Sequence, residues 1–192
     1  MEADPTAQAV LDFWFGAPGS ARHGAERDFW FRKDAALDAE IAARFGAAIE
    51  TALAGGFAAW SSPRGALARI LLLDQLTRNS FRDTPRAFAG DAIALPLAEE
   101  AVARGDDRAL ANVERWFTYM PFQHAESVAA QERSLALFRL LRDDGLASPL
   151  AWAEKHAAVI RRFGRFPHRN AILGRESTAE EIAFLSTKGS RF

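Results

Sequence analysis

The chain of 192 residues has no cysteine. That absence removes disulfides, thiolate catalysis and cysteine-based zinc sites together. Lysine is scarce as well, occurring only at Lys33, Lys155 and Lys188. Basic residues are therefore overwhelmingly arginine. Alanine is abundant too, a pairing that suggests a GC-rich genome and makes arginine abundance by itself a poor argument for function. No charge of one sign dominates: 24 basic residues meet 25 acidic ones, for a formal net charge of −1, so no global field favours nucleic acid or an anionic membrane surface. No uncharged apolar run approaches the ~20 residues of a membrane span. The opening Met1-Glu2-Ala3-Asp4-Pro5 lacks the basic flank and apolar run of a secretory signal. A cytoplasmic protein with neither nucleic acid nor membrane as partner is the expectation. The common catalytic and cofactor signatures are also missing: no Gly-x-Ser-x-Gly elbow, Walker loop, dinucleotide glycine fingerprint or His-Glu-x-x-His pair. No cofactor and no metal is expected.

What is present is enough for one packed domain. The residues are 49% hydrophobic and include 15 Phe. A chain of this length fits one domain, 1–192, that buries about two-thirds of its unfolded surface. Helix punctuation recurs along it, with Ser, Thr or Asp before Pro at starts and Gly at stops, while strand signals are nearly absent. The pattern predicts a helix over Thr6 to Phe15 and a second carrying Leu37, Ile41, Phe45, Ala48 and Ala52 up to Gly55-Gly56. Ser62-Pro63 opens a central, mostly buried helix that runs to Arg78, before the Asn79-Ser80 break. Thr84-Pro85 opens a segment towards Arg104-Gly105 that Pro96 should kink or divide. Asp106 or Asp107 is expected to cap a helix to Tyr119, which Met120-Pro121 should end. Further helices are predicted over His124 to Arg142 and from Ser148-Pro149 to Gly164. A short one follows Ser177-Thr178, with Glu180-Glu181 completing capping boxes, and Lys188 to Phe192 reads as a loose tail. Short links between helices of this length imply an all-α fold of antiparallel helix hairpins, packed as a compact bundle or a short solenoid.

Three strings are distinctive: Val10-Leu11-Asp12-Phe13-Trp14-Phe15-Gly16, then Leu73-Asp74-Gln75 with Arg78-Asn79, and Phe163-Gly164-Arg165-Phe166-Pro167-His168-Arg169-Asn170 with Leu173-Gly174-Arg175. With Met120-Pro121-Phe122, His124, Glu126, Gln131, His156, Ser177-Thr178 and Phe184-Leu185, they make the chain resemble, over nearly its whole length, the bacterial domain-of-unknown-function family 924. The resemblance implies an all-α, tetratricopeptide-like fold of helix hairpins and no established activity. Two positions depart from the family pattern. Leu76-Thr77 stands where a Phe-Pro pair is usual, and Ala125 stands at a common Ser position, so any chemistry of that hydroxyl is missing here.

The link from Gly164 to Ser177 is long for a helix connection, and ordered long loops are often functional. Between Lys155 and Arg175 it and its flanks carry basic residues and no acidic one. Guanidinium forks match carboxylate and phosphate, so Arg162, Arg165, Arg169 and Arg175, with His168 and Asn170, are candidate ligands for an anion. Against that, the same arginines could pair structurally with Asp74, Asp91 or Glu126. Asp74 and Arg78 stand four apart in the order that favours an ion pair along a helix, and both are added to the candidate binding set. His124 and Glu126 are the candidate acid and base; a metal shared with His156 is a weaker alternative, because His-x-Glu is a weak metal signal. The Trp residues, from Trp14 to Trp152, read as helix-packing anchors. Three functions stay open: a binding protein for a small anion or peptide carboxylate, an enzyme using His124 and Glu126, and a structural or interaction module. Binding is the reading preferred. The oligomeric state cannot be read.

Overall fold

The structure, a computed structural model, describes residues 4–190. The first three residues, and Arg191 and Phe192 of the expected tail, lie outside the described residues. Within them the chain is all-helical, with no strand.

Local capping sets most helix starts. Helix α1 (Pro5–Phe15) begins at Asp4, whose carboxylate accepts the Thr6 and Ala7 N–H groups, and α2 (Ala35–Leu53) begins the same way at Asp34. Ser62 caps α3 (Pro63–Ile70) through the Gly65 N–H, and Thr178 with Glu181 forms a capping box on α9 (Ala179–Leu185). Between them lie α4 (Thr77–Ser80), α5 (Asp91–Arg104), α6 (Asn112–His124), α7 (Val128–Asp143) and α8 (Leu150–Phe163). Gly16 leaves α1 at φ 88°, and a Cβ there would sit 2.9 Å from the Arg22 carbonyl carbon, so glycine is required.

Segment α3 continues without interruption through a π-helical stretch, Leu71–Leu76, into α4. Every residue of that stretch is buried, because α1 and α2 pack on this helix from one part of the sequence and α5 and α6 from another. The result is a bundle around a central helix, to which α6, α7 and α8 add consecutive helix hairpins. An aromatic cluster fills the junction of the first helix with α6. Trp14 meets Phe117 edge-on at 5.5 Å, and Trp30, from the loop after α1, meets Phe117 at 4.7 Å. The Trp30 indole also donates to the Trp14 carbonyl at 3.0 Å, which satisfies the one polar atom that burial of its ring would strand.

Four expectations change. Pro121 does not end α6, which runs on to His124. Buried Gln131 of α7 donates its amide to the Phe122, Gln123 and Ala125 carbonyls at 3.3, 2.8 and 2.9 Å. A neighbouring helix thus supports the final turn that the proline would otherwise weaken. The break expected around Pro121 lies instead at Ala125–Ser127, and Ser127 caps α7. Pro96 sits within α5 without dividing it, whereas Pro85–Phe88 and Asp106–Ala109 form separate 3₁₀ turns. Within the expected loose tail, Ser190 is buried and donates to the Leu185 carbonyl at 3.1 Å.

Candidate functional site

The π-helical stretch widens the central helix by one residue. The Thr77 N–H therefore reaches back to the Leu72 carbonyl, and the Thr77 hydroxyl donates to the same oxygen at 2.6 Å. In the centre of the wide turn, Asp74 is completely buried and Gln75 is 6% exposed. Gly90 presses on the turn from outside: a Cβ at this position would stand 2.1 Å from the Leu73 oxygen. That close approach brings the start of α5, with Asp91, alongside Arg78.

These residues make one connected network. Asp74 Oδ1 lies 2.7 Å from His124 Nδ1 and 3.4 Å from an Arg78 Nη, while Asp74 Oδ2 accepts from the Gln75 amide at 2.6 Å. Arg78 also donates to Asp91 at 2.8 Å and to the Ala87 carbonyl at 3.4 Å. Asp91 accepts from Arg169 Nη1 at 3.2 Å, and Arg169 Nη2 donates to the His124 carbonyl at 3.0 Å. The Arg169 guanidinium lies over the rings of Phe88 and Phe166, each 4.6 Å away, a stacked setting that suits a planar, weakly hydrated cation. Phe166 is fully buried and anchors the loop after α8. It is a core ring of the kind whose truncation to alanine costs about 3–5 kcal/mol.

The network forms the floor of a cleft of about 410 Å³. Its polar lining includes Arg78, Arg169, His124, His156 and His168, and its apolar lining includes Trp30, Phe31, Trp116 and Trp152. The aromatic wall is prebuilt, since Phe31 stacks on Trp116 at 5.2 Å and Trp30 meets Trp116 edge-on at 5.9 Å. Hydrogen-bond donors are in excess on the floor. A guanidinium carries five N–H donors. Arg169 uses one hydrogen on each Nη, and among the described residues neither its buried Nε nor that of Arg78 has a partner.

The local field is positive. Burial pushes Arg169 down to about 10, with the Arg78 charge adding to the shift. Burial holds His168 down at about 4, helped by Arg169, and His156 at about 3. Burial also lowers His124, by more than neighbouring Asp74 raises it. For Asp74, burial alone would raise the carboxyl, but the Arg78 charge and the hydrogen bonds from His124 and Gln75 hold it below its ordinary value. The His156 Nδ1 lies 2.8 Å from the Trp152 carbonyl. A carbonyl only accepts, so Nδ1 carries the proton.

Of the residues singled out from the sequence, the fold brings Asp74, Arg78, His124, His168 and Arg169 together at the cleft. His156, the further metal candidate, lines it too, and the remaining candidates lie elsewhere. Arg162 pairs with Glu180 at 2.9 Å, Arg165 with Glu181 at 2.7 Å, and Arg175 with Glu126 through two bonds of 2.6 and 2.9 Å. Asn170 donates to Ser177 and Glu181. Glu126 also accepts the Phe166 N–H at 2.7 Å, so it ties down the loop and does not reach the His124 ring; Asp74 holds that place. Phe88 and the Trp wall had no signal in the sequence that set them apart from ordinary core, whereas Gln75 stood in one of the distinctive strings. Among the described residues no group of three or more His, Asp or Glu could hold a metal ion. No helix among them is long and apolar enough to cross a membrane.

Fold and site define a helical-bundle protein with a cationic, aromatic-walled cleft beside a π-helical turn. Its family is equally clear: the chain belongs to the bacterial proteins of unknown function DUF924, whose pattern matches residues 10–189. It is also similar to a solved protein of unknown function, ATU0120 from Agrobacterium tumefaciens, at 41% identity and a TM-score of 0.83, over 94% of this chain and 96% of that one. No curated protein matches the chain.

Proposed function

We propose that this protein binds a small ligand that joins an acidic group, carboxylate or phosphate, to an apolar body, and that it does so in the cleft beside the π-helical turn. The observation that carries the proposal is the pair of arginines, Arg169 and Arg78, that line a cleft walled by tryptophan with Nη hydrogens left over after their protein partners are served. Hydrogen bonds to charged groups contribute about 1.5–3 kcal/mol each, so an acceptor-rich ligand gains from those spare guanidinium donors. The cleft volume of about 410 Å³ suits a small molecule or the terminal residue of a peptide. We place the protein in the cytoplasm, where a domain of this size commonly folds without disulfides. We assign it neither nucleic acid nor membrane as partner, since its net charge is −1.

Thermal unfolding in the presence of phenylacetate, phenyl phosphate, phenylethanol and chloride tests this reading. At a hundred times Kd a ligand adds about 2.7 kcal/mol, which is about 5–10 °C for a domain of this length. The two aromatic anions should stabilise and the neutral analogue and chloride should not. Arg169→Lys keeps the charge and loses the planar fork, so its response should be much smaller relative to its own baseline. Equal responses to phenylacetate and chloride at matched ionic strength reject the site.

A further inference from the structure

We propose that the cleft is catalytic for proton transfer at carbon, with His124 as general base acting on an aromatic 2-oxo acid whose carboxylate rests on the arginine floor. This deepens the binding reading above and depends on it.

The geometry of His124 resembles a working base more than a structural tie. Asp74 is fully buried and lies 2.7 Å from Nδ1. An ionised carboxylate can only accept, so Nδ1 carries the proton and Nε2 keeps its lone pair. Nε2 has no hydrogen-bond partner among the described residues and is not one of their buried polar atoms left unpaired, while the ring lines the cleft. Its lone pair therefore opens on the cavity. Burial keeps this imidazole below its ordinary pKa, hence unprotonated at neutral pH. Side chain and backbone of His124 are each held. Asp74 holds the ring from the π-helical turn, a kind of irregularity that recurs at functional sites, and Arg169 holds the carbonyl of the same residue at 3.0 Å.

The surroundings narrow the chemistry. Among the described residues no Ser, Thr, Cys or Lys lines the cleft, so the base faces the ligand itself and has no protein nucleophile to activate. The donors beside it are cationic, and cationic donors stabilise an oxyanion that forms only during the reaction. Removal of a proton next to a keto group needs these two features. Nε2 takes the proton from the carbon adjacent to the carbonyl, and the C–H electron pair becomes the new C–C double bond. The carbonyl oxygen becomes an enolate oxygen facing the guanidinium N–H groups. Return of the same proton to carbon restores the keto acid, and its delivery to oxygen gives the enol. No electron is gained or lost and no co-reactant is required. The Trp30, Trp116 and Trp152 walls supply the flat apolar surface on which an aromatic ring stacks.

Phenylpyruvate in deuterium oxide is the probe, with loss of its methylene proton signal followed by nuclear magnetic resonance. The protein should exchange these protons faster than buffer alone, the base contributing about 10²–10⁴-fold. His124→Gln should reduce exchange to the buffer rate while phenylpyruvate still raises its melting temperature. Asp74→Asn, nearly isosteric, is the second variant. Its amide would donate to Nδ1 and shift the proton to Nε2, so kcat should drop by about a hundred-fold or more with KM little changed, a split that a purely structural Asp74 would not produce. Exchange at the buffer rate in the parent protein, or exchange that survives His124→Gln, overturns the catalytic assignment. If phenylpyruvate stabilises the parent without exchange, catalysis fails and binding stands. If it neither stabilises nor exchanges, and phenylacetate does not stabilise either, both fail.

Discussion

Two glycine-to-alanine substitutions should move stability in opposite directions, and the difference follows from one close approach. At Gly90 an added Cβ would lie 2.1 Å from the Leu73 oxygen, 2.7 Å from its carbonyl carbon and 2.9 Å from its Cα. All three atoms are backbone, within a turn whose side chains are entirely buried, so no flexible group can swing aside. Overpacking in a core costs about 1–3 kcal/mol, occasionally more. A clash with immovable backbone belongs at the upper end. At about 2–4 °C per kcal/mol for 150–250 residues, Gly90→Ala should lower the melting temperature by about 6–12 °C. Gly46 lies inside α2, and a Cβ there meets nothing within 4 Å. Alanine is favoured over glycine in a helix by about 0.8–1.0 kcal/mol, so Gly46→Ala should raise the melting temperature by about 2–4 °C. Thermal unfolding followed by far-ultraviolet circular dichroism reads both. Because Leu73 precedes Asp74, Gly90→Ala should also weaken the response to phenylacetate, whereas Gly46→Ala should not. A Gly90→Ala protein as stable as its parent would refute the packing of α5 against the π-helical turn, and with it the placement of Asp91.

Tyr119→Phe should destabilise by about 1.5–3 kcal/mol, the value of a hydrogen bond to a charged group, because the Tyr119 hydroxyl donates to buried Asp107 at 2.5 Å. Urea unfolding measures it, and an unchanged midpoint sinks the assignment. Burial alone would raise the Glu126 carboxyl, but the Arg175 fork and the Phe166 N–H outweigh it and hold the group below its ordinary value. Its stabilisation is therefore complete above the unfolded pKa of about 4.3 and is lost as pH falls through the lower folded value. Glu126→Gln should be less stable than its parent at neutral pH, and the gap should narrow on acidification below about pH 4. A gap that does not change with pH would show that the carboxylate charge contributes nothing.

How much could be read from the sequence depended on how far apart the interacting groups stand along the chain. The cap residues Asp34, Ser62 and Thr178 act on N–H groups two or three residues away, and the all-α class and most helix boundaries follow from such local signals. Arg78 and Asp74 stand one turn apart, so their pairing was legible too. Pro121 was not, because the group that supports its helix is Gln131 on the next one. The arginine loop was legible as a cluster of charge, but not in its use. No acid lies between Lys155 and Arg175, and the partners come from Glu126, 49 residues before Arg175, and Asp91, 78 residues before Arg169. His124 next to Glu126 looked like an acid–base pair by proximity, yet folding carries Glu126 to the loop and brings Asp74, 50 residues away, to the imidazole. By itself the sequence determined a helical domain and which side chains carry chemistry, since capping and periodicity are set by near neighbours. Only the tertiary structure decided which charges neutralise one another, which donors remain open and where an aromatic wall faces them, because those depend on packing between distant segments and on burial, which no local pattern encodes.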